Sequence, residues 1–138
     1  MHKSIIGTLL VLGAFIAAAV VTAQTSVTPA AGNASPLLTK TLTDVPSKEA
    51  AMLIVSYPPG GQSPAHRHNA DVFVYVLEGT VVMQVAGGQE VTLTAGQTFY
   101  ESPTDIHSVS RNASATAPAK ILVFAIKAQG APLTMPAK

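Results

Sequence analysis

The sequence predicts an all-β fold, an antiparallel sandwich or barrel. Short runs rich in Val, Ile, Thr and aromatic residues recur every 8 to 12 residues or so, the spacing of such folds. Gly, Pro, Asn and Asp clusters punctuate them as turns. Beyond the N-terminus, no stretch of the 138-residue chain keeps a helical period.

In chain order, His2 and Lys3 precede an uncharged apolar run, Ile5 to Val21, and Val21-Thr22-Ala23 offers small residues for cleavage. This is the layout of a signal peptide over residues 1–23, and it predicts a mature chain starting at Gln24, periplasmic or secreted. The run is at the short edge for spanning a bilayer, and no charged cluster follows it. Residues 24–36, rich in Ala, Ser, Thr and Pro, read as a flexible tether.

The barrel domain is expected over residues 37–127. Leu37 to Thr43 forms a first strand, broken by Val45-Pro46-Ser47, and Ala50 to Tyr57 a second, stopped by Pro58-Pro59-Gly60-Gly61. Asn69-Ala70-Asp71 turns into a strand from Val72 to Leu77. Thr80 to Ala86 and Gln89 to Leu93 make a hairpin across Gly87-Gly88, a pair tolerant of positive φ. Gln97 to Glu101, Ile106 to Ser110 and Lys120 to Ile126 complete the strands, and residues 128–138 form a Pro- and Ala-rich tail.

Composition narrows the function classes. Without Lys3 the mature chain keeps seven basic and seven acidic residues, so it is near neutral. No basic patch points to nucleic acid, and no charge asymmetry points to a membrane surface. Cysteine is absent, so neither disulfides nor a lipid-anchoring cysteine is in play. Asn33-Ala-Ser35 and Asn112-Ala-Ser114 fit a glycosylation sequon, a weak pattern.

The chemistry centres on Gly60 to Gly79, which carries His66 and His68 ahead of a strongly β-forming run. Alternate strand residues share a face, so an H-x-H pair points both imidazoles the same way and makes half of a metal site. With His107, these are the only histidines of the mature chain. Gln62, on the preceding loop, is a further candidate ligand, although solvated loop is the plainer role. Tyr100 and Glu101, ahead of the Ser102 to Asp105 turn, are candidate proton donors or acceptors; Glu101 can equally pair with Arg67 or Arg111 on the rim. Tyr75 should face outward for packing or a dimer contact, Asp105 should serve its turn, and Val81, Met83 and Val85 should line the core.

Residues 37–127 resemble the cupin superfamily, in particular its small single-domain members. The first cupin motif reads G-x5-H-x-H-x(3,4)-E-x6-G, and Gly60, His66, His68 and Gly79 stand in register with it. The second reads roughly G-x5-P-x-G-x2-H-x3-N. Here Gly96, Pro103 and His107 follow it, with Thr104 at the likely Gly position, one extra residue before Pro103, and Asn112 one place late. The resemblance implies a double-stranded β-helix of the jelly-roll kind and a homodimer. It also implies a divalent metal on His66, His68 and His107, with a small-molecule ligand or substrate. The motif's Glu falls on Val72, so the carboxylate ligand is expected to be missing. An all-imidazole sphere favours Fe, Zn, Ni or Cu over Mn. The functions implied are a small-molecule metalloenzyme of dioxygenase type, another cupin oxidoreductase or isomerase, or a non-catalytic metal- or sugar-like-ligand-binding cupin of the cell envelope.

Overall fold

The structure is a computed structural model and describes residues 28–138. The predicted signal peptide, and the tether as far as residue 27, lie outside the described residues. Eleven strands run in chain order: β1 (Asn33–Thr41), β2 (Lys48–Tyr57), β3 (Gln62–Ser63), β4 (His66–Arg67), β5 (Ala70–Glu78) and β6 (Thr80–Val85) come first. β7 (Val91–Thr94), β8 (Thr98–Glu101), β9 (Ile106–Asn112), β10 (Ala119–Ala128) and β11 (Met135–Pro136) follow. No helix occurs among the described residues.

Two antiparallel sheets face each other, one ordered β1-β2-β10-β5-β8 and the other β11-β4-β9-β6-β7, with β3 also paired to β9. This is the jelly-roll arrangement expected of a double-stranded β-helix. Its core comes from the period-2 alternation of the central strands. Val72, Val74 and Val76 of β5, with Ile121, Val123 and Ala125 of β10, meet Val81 and Met83 of β6 between the sheets. Gly79 makes the turn from β5 to β6 at φ +73°, where a Cβ would lie 2.5 Å from the Pro118 carbonyl oxygen. Only glycine meets both demands.

The outer face of the five-stranded sheet is apolar as well. Cross-strand registers align Leu38, Met52, Phe124, Phe73 and Tyr100 in one row, and Ser35, Ile54, Leu122, Tyr75 and Thr98 in the next. Phe73, Tyr75, Tyr100 and Leu38 are exposed. A Lys120–Glu78 ion pair borders these rows on one side.

Three stretches differ from the sequence expectation. β1 starts at Asn33, inside the expected tether, because Ala30 and Gly32 already hydrogen-bond to Gln62 and draw the chain onto the barrel. The β6–β7 ladder ends at Met83 and Val91, so the connection is wider than Gly87-Gly88; Gln84 Nε2 closes it on the Gly88 carbonyl. The expected tail turns back, and its Met135 and Pro136 pair with Arg67 and His66 of β4. Asn112 is buried, its Nδ2 donating to the carbonyls of Pro58 and Ala117, so that nitrogen is engaged in the fold.

Candidate metal centre

His66 lies on β4 and His107 opposite it on β9, in direct register. His68 follows two residues after His66 and shares its face. The ligand atoms of the three histidines all lie within 4.8 Å of one another. His68 and His107 are buried and His66 is partly so.

Backbone carbonyls set the ring orientations. His66 Nδ1 lies 2.8 Å from the Pro64 oxygen, and His68 Nδ1 lies 2.7 Å from the Leu133 oxygen. A carbonyl only accepts, so each Nδ1 carries a proton and each ring aims its Nε2 into the site, where the neutral form offers a lone pair. Those two Nε2 atoms are 3.1 Å apart. Two lone pairs at that distance repel unless a proton or a cation sits between them. Burial, and then the neighbouring His107 and His68, hold the His66 pKa below its ordinary value, which disfavours the proton.

The missing carboxylate is present after all, on a different strand. Glu101 of β8 pairs in register with Val72 of β5, and both residues are 1% exposed, with their side chains pointing inward. Glu101 Oε2 lies 3.7 Å from His68 Nε2, and Oε1 lies 3.1 Å from His107 Nδ1. Ligand atoms about 2.1 Å from a tetrahedral ion stand roughly 3.4 Å apart, which these distances bracket. Glu101 Oε2 and both ring nitrogens of His107 are buried without a hydrogen-bond partner. A buried carboxylate oxygen and a buried imidazole without partners, beside two Nε2 atoms aimed at each other, are what a bound cation would satisfy. Three imidazoles and one carboxylate fit a divalent transition metal, and the oxygen donor removes the ground on which Mn was disfavoured.

The cluster opens into a cavity of about 180 Å³ between the sheets. Leu53, Val55, Val74, Ile121 and Val123 form its apolar walls. Tyr57 adds a polar group to the lining, its hydroxyl 2.7 Å from Ser110 Oγ and 3.0 Å from Ser63 Oγ. His107 and Ser110 are three apart yet both buried, because β9 shifts register between its Val109–Gln84 and His107–Val85 pairs. A bulge of this kind re-aims side chains beside a site.

The chain matches the family described as Cupin domain over residues 53–125, more than half its length. The chain belongs to the cupin family. A cupin domain from Bordetella pertussis superposes with a TM-score of 0.59 at 20% identity, covering 74% of this chain and 99% of that one. Oxalate oxidase in complex with glycolate gives 0.60 at 21% identity, over 87% of this chain and 62% of that one. The DMSP lyase DddQ from Ruegeria pomeroyi gives 0.55 at 21%, over 62% and 42%. The chain thus spans under two thirds of either enzyme, and identities this low show the fold alone. No curated protein sequence matches this cupin.

The other candidates fall elsewhere. Tyr100 is 49% exposed on the outer face and donates to Asp71 Oδ1 at 2.7 Å, a bond that holds the phenol above its ordinary pKa. It lies one residue from Glu101, and strand alternation sends it away from the cavity. Gln62 is exposed and serves through its backbone, pairing with Arg111 and bonding to Ala30 and Gly32; it does not line the cavity. Arg111 pairs with Glu90, not Glu101. Asp105 accepts from the Ser102 amide, as its turn requires.

Tyr57, Ser63, Ser110 and Leu133 reach the cavity with no chemical motif in the sequence to announce them. For Tyr57 there was one usable signal, its odd-numbered place on β2 in phase with Leu53 and Val55.

Proposed function

We propose that this chain is an exported cupin enzyme that uses a divalent transition metal on His66, His68, His107 and Glu101 to act on a small molecule, with oxygen-dependent, dioxygenase-type chemistry. The single observation that carries this reading is the convergence of three imidazoles and one buried carboxylate, with Glu101 and His107 left without hydrogen-bond partners, at the wall of a mostly apolar cavity. A dipositive ion held by three neutral imidazoles and one carboxylate keeps a net positive charge, which favours an anionic substrate group. The metal would supply Lewis acidity and a binding position for small ligands. The residues of the chain do the rest. Pro64 and Leu133 orient two imidazoles, the aliphatic walls exclude water, and the Tyr57–Ser110 hydroxyls offer hydrogen bonds to a polar group of the substrate. A cavity of about 180 Å³ is below the roughly 300–1,000 Å³ of sites for drug-sized ligands, so a substrate of few atoms fits.

The test is metal analysis of the protein from its exported fraction, followed by oxygen-uptake assays against small carboxylic acids. Stoichiometric metal with oxygen consumption on at least one acid is expected. Metal without turnover on any would move the chain to a second reading, a non-catalytic small-ligand-binding cupin. That reading is favoured by a cavity whose only acid is Glu101. The assembly proposed is a homodimer, in which a second copy covers the two apolar rows on the outer face of the five-stranded sheet.

A further inference from the structure

We infer that the C-terminal segment 129–138 is a positioning strap for the metal centre, and that the Leu133 carbonyl is its working group, setting the tautomer and aim of His68. The segment lies outside residues 53–125, the part that matches the family.

The strap is anchored at its root and docked at its tip. Lys127, buried at the end of β10, pairs with Glu49 directly across the ladder on β2 and donates to the Ala131 carbonyl at 2.6 Å. Gln129 N bonds to the Ser47 carbonyl, and Gly130 turns the chain at φ +74°. At the far end Met135 and Pro136 pair with Arg67 and His66, the strand that carries the first ligand. Between these fixed points the Leu133 oxygen is held 2.7 Å from His68 Nδ1, and Leu133 and Thr134 line the cavity.

The energetic consequence follows from tautomerism. A neutral imidazole carries its proton on either nitrogen, and only the Nδ1–H form leaves Nε2 free to ligate. The Leu133 carbonyl selects that form before any ion arrives. Partners of this kind typically carry 10–100-fold of metal affinity. The proposal rests on the reading of the histidine cluster as a metal centre, but its first readout needs no metal.

The test begins with nitrogen-15 NMR of the His68 ring in the intact, metal-free chain. The Nδ1–H tautomer is expected, and an Nε2–H ring would overturn the proposal. Two variants then separate carbonyl from side chain by Zn(II) titration against a chelator. A chain ending at Ala131 keeps the Lys127 acceptor but loses Leu133, and its Zn(II) affinity should fall about 10–100-fold. Leu133→Ala keeps the carbonyl and should stay within about threefold of wild type, clearly below that range. Equal losses in the two variants would assign the effect to side-chain packing and overturn the proposal. If the shortened chain does not fold, the tautomer and the Leu133→Ala affinity still decide. Wild-type protein that holds no Zn(II) while His68 is Nδ1–H would remove the metal reading and leave the orientation standing.

Discussion

The two faces of the five-stranded sheet carry residues of similar chemistry to different ends. At one height along β5 and β8, Val72 and Glu101 point inward and Phe73 and Tyr100 outward. At this height each face has one carboxylate beside its aromatic or histidine neighbours. Asp71 on the outer side accepts a hydrogen bond from the Tyr100 hydroxyl in solvent, while Glu101 on the inner side is enclosed with two histidines. Chain position hardly separates Tyr100 from Glu101. Alternation does, and a one-residue slip would exchange their surroundings.

The sharpest way to break this comparison is to change the two faces separately. Glu101→Gln should lower Zn(II) affinity by at least the 10–100-fold typical of an outer-shell partner, because here a charged oxygen donor is lost. Tyr100→Phe should leave affinity unchanged. Calorimetric titration of both checks this, and equal behaviour would erase the distinction between the faces.

Much of this fold was legible in advance. The alternation of β5 and β10 and the glycine and proline turns predicted an antiparallel β architecture, and the H-x-H spacing placed His66 and His68 on one wall. The carboxylate was harder to see. The motif position holds Val72, and only the pairing of β5 with β8 shows that Glu101 stands directly opposite. Cross-strand partners far apart in sequence leave no spacing signal. Leu133 was illegible for a further reason, since it acts through a carbonyl that every residue possesses.

That pairing gives the next prediction. Directly opposed Cβ atoms lie about 4.5–5.5 Å apart, so a carboxylate moved from position 101 to 72 stays within reach of the ion. Val72→Glu alone should destabilise the metal-free protein, since it buries a second carboxylate against Glu101. Val72→Glu with Glu101→Val should recover most of the affinity lost in Glu101→Gln. Melting curves with and without Mn(II) and Zn(II) test both, and an unrescued double variant would mean that the two positions are not equivalent.

The outer face should answer to assembly instead. Phe73→Lys places a charge in the middle of the apolar rows and should shift dimer to monomer in light scattering, with metal content unchanged. A wild-type monomer at micromolar concentration would contradict the proposed dimer.

A smaller effect concerns the anchor of the strap. The Lys127 hydrogen bond holds Glu49 below the usual carboxylate range. A depressed pKa contributes stability above the unfolded value of about 4.3 and loses it as pH falls through the folded one. Glu49→Gln should therefore melt earlier than wild type at neutral pH, and the gap should narrow below about pH 4. A gap that does not change with pH would remove the ion pair as its cause.

The most direct measurement is anomalous diffraction from crystals loaded with Zn(II) or Co(II), recorded at the metal absorption edge. The account predicts one peak about 2.0–2.2 Å from a ring nitrogen of each of His66, His68 and His107 and from a Glu101 oxygen. Saturating metal with no peak among the three histidines, or a peak from which Glu101 is turned away, would contradict it.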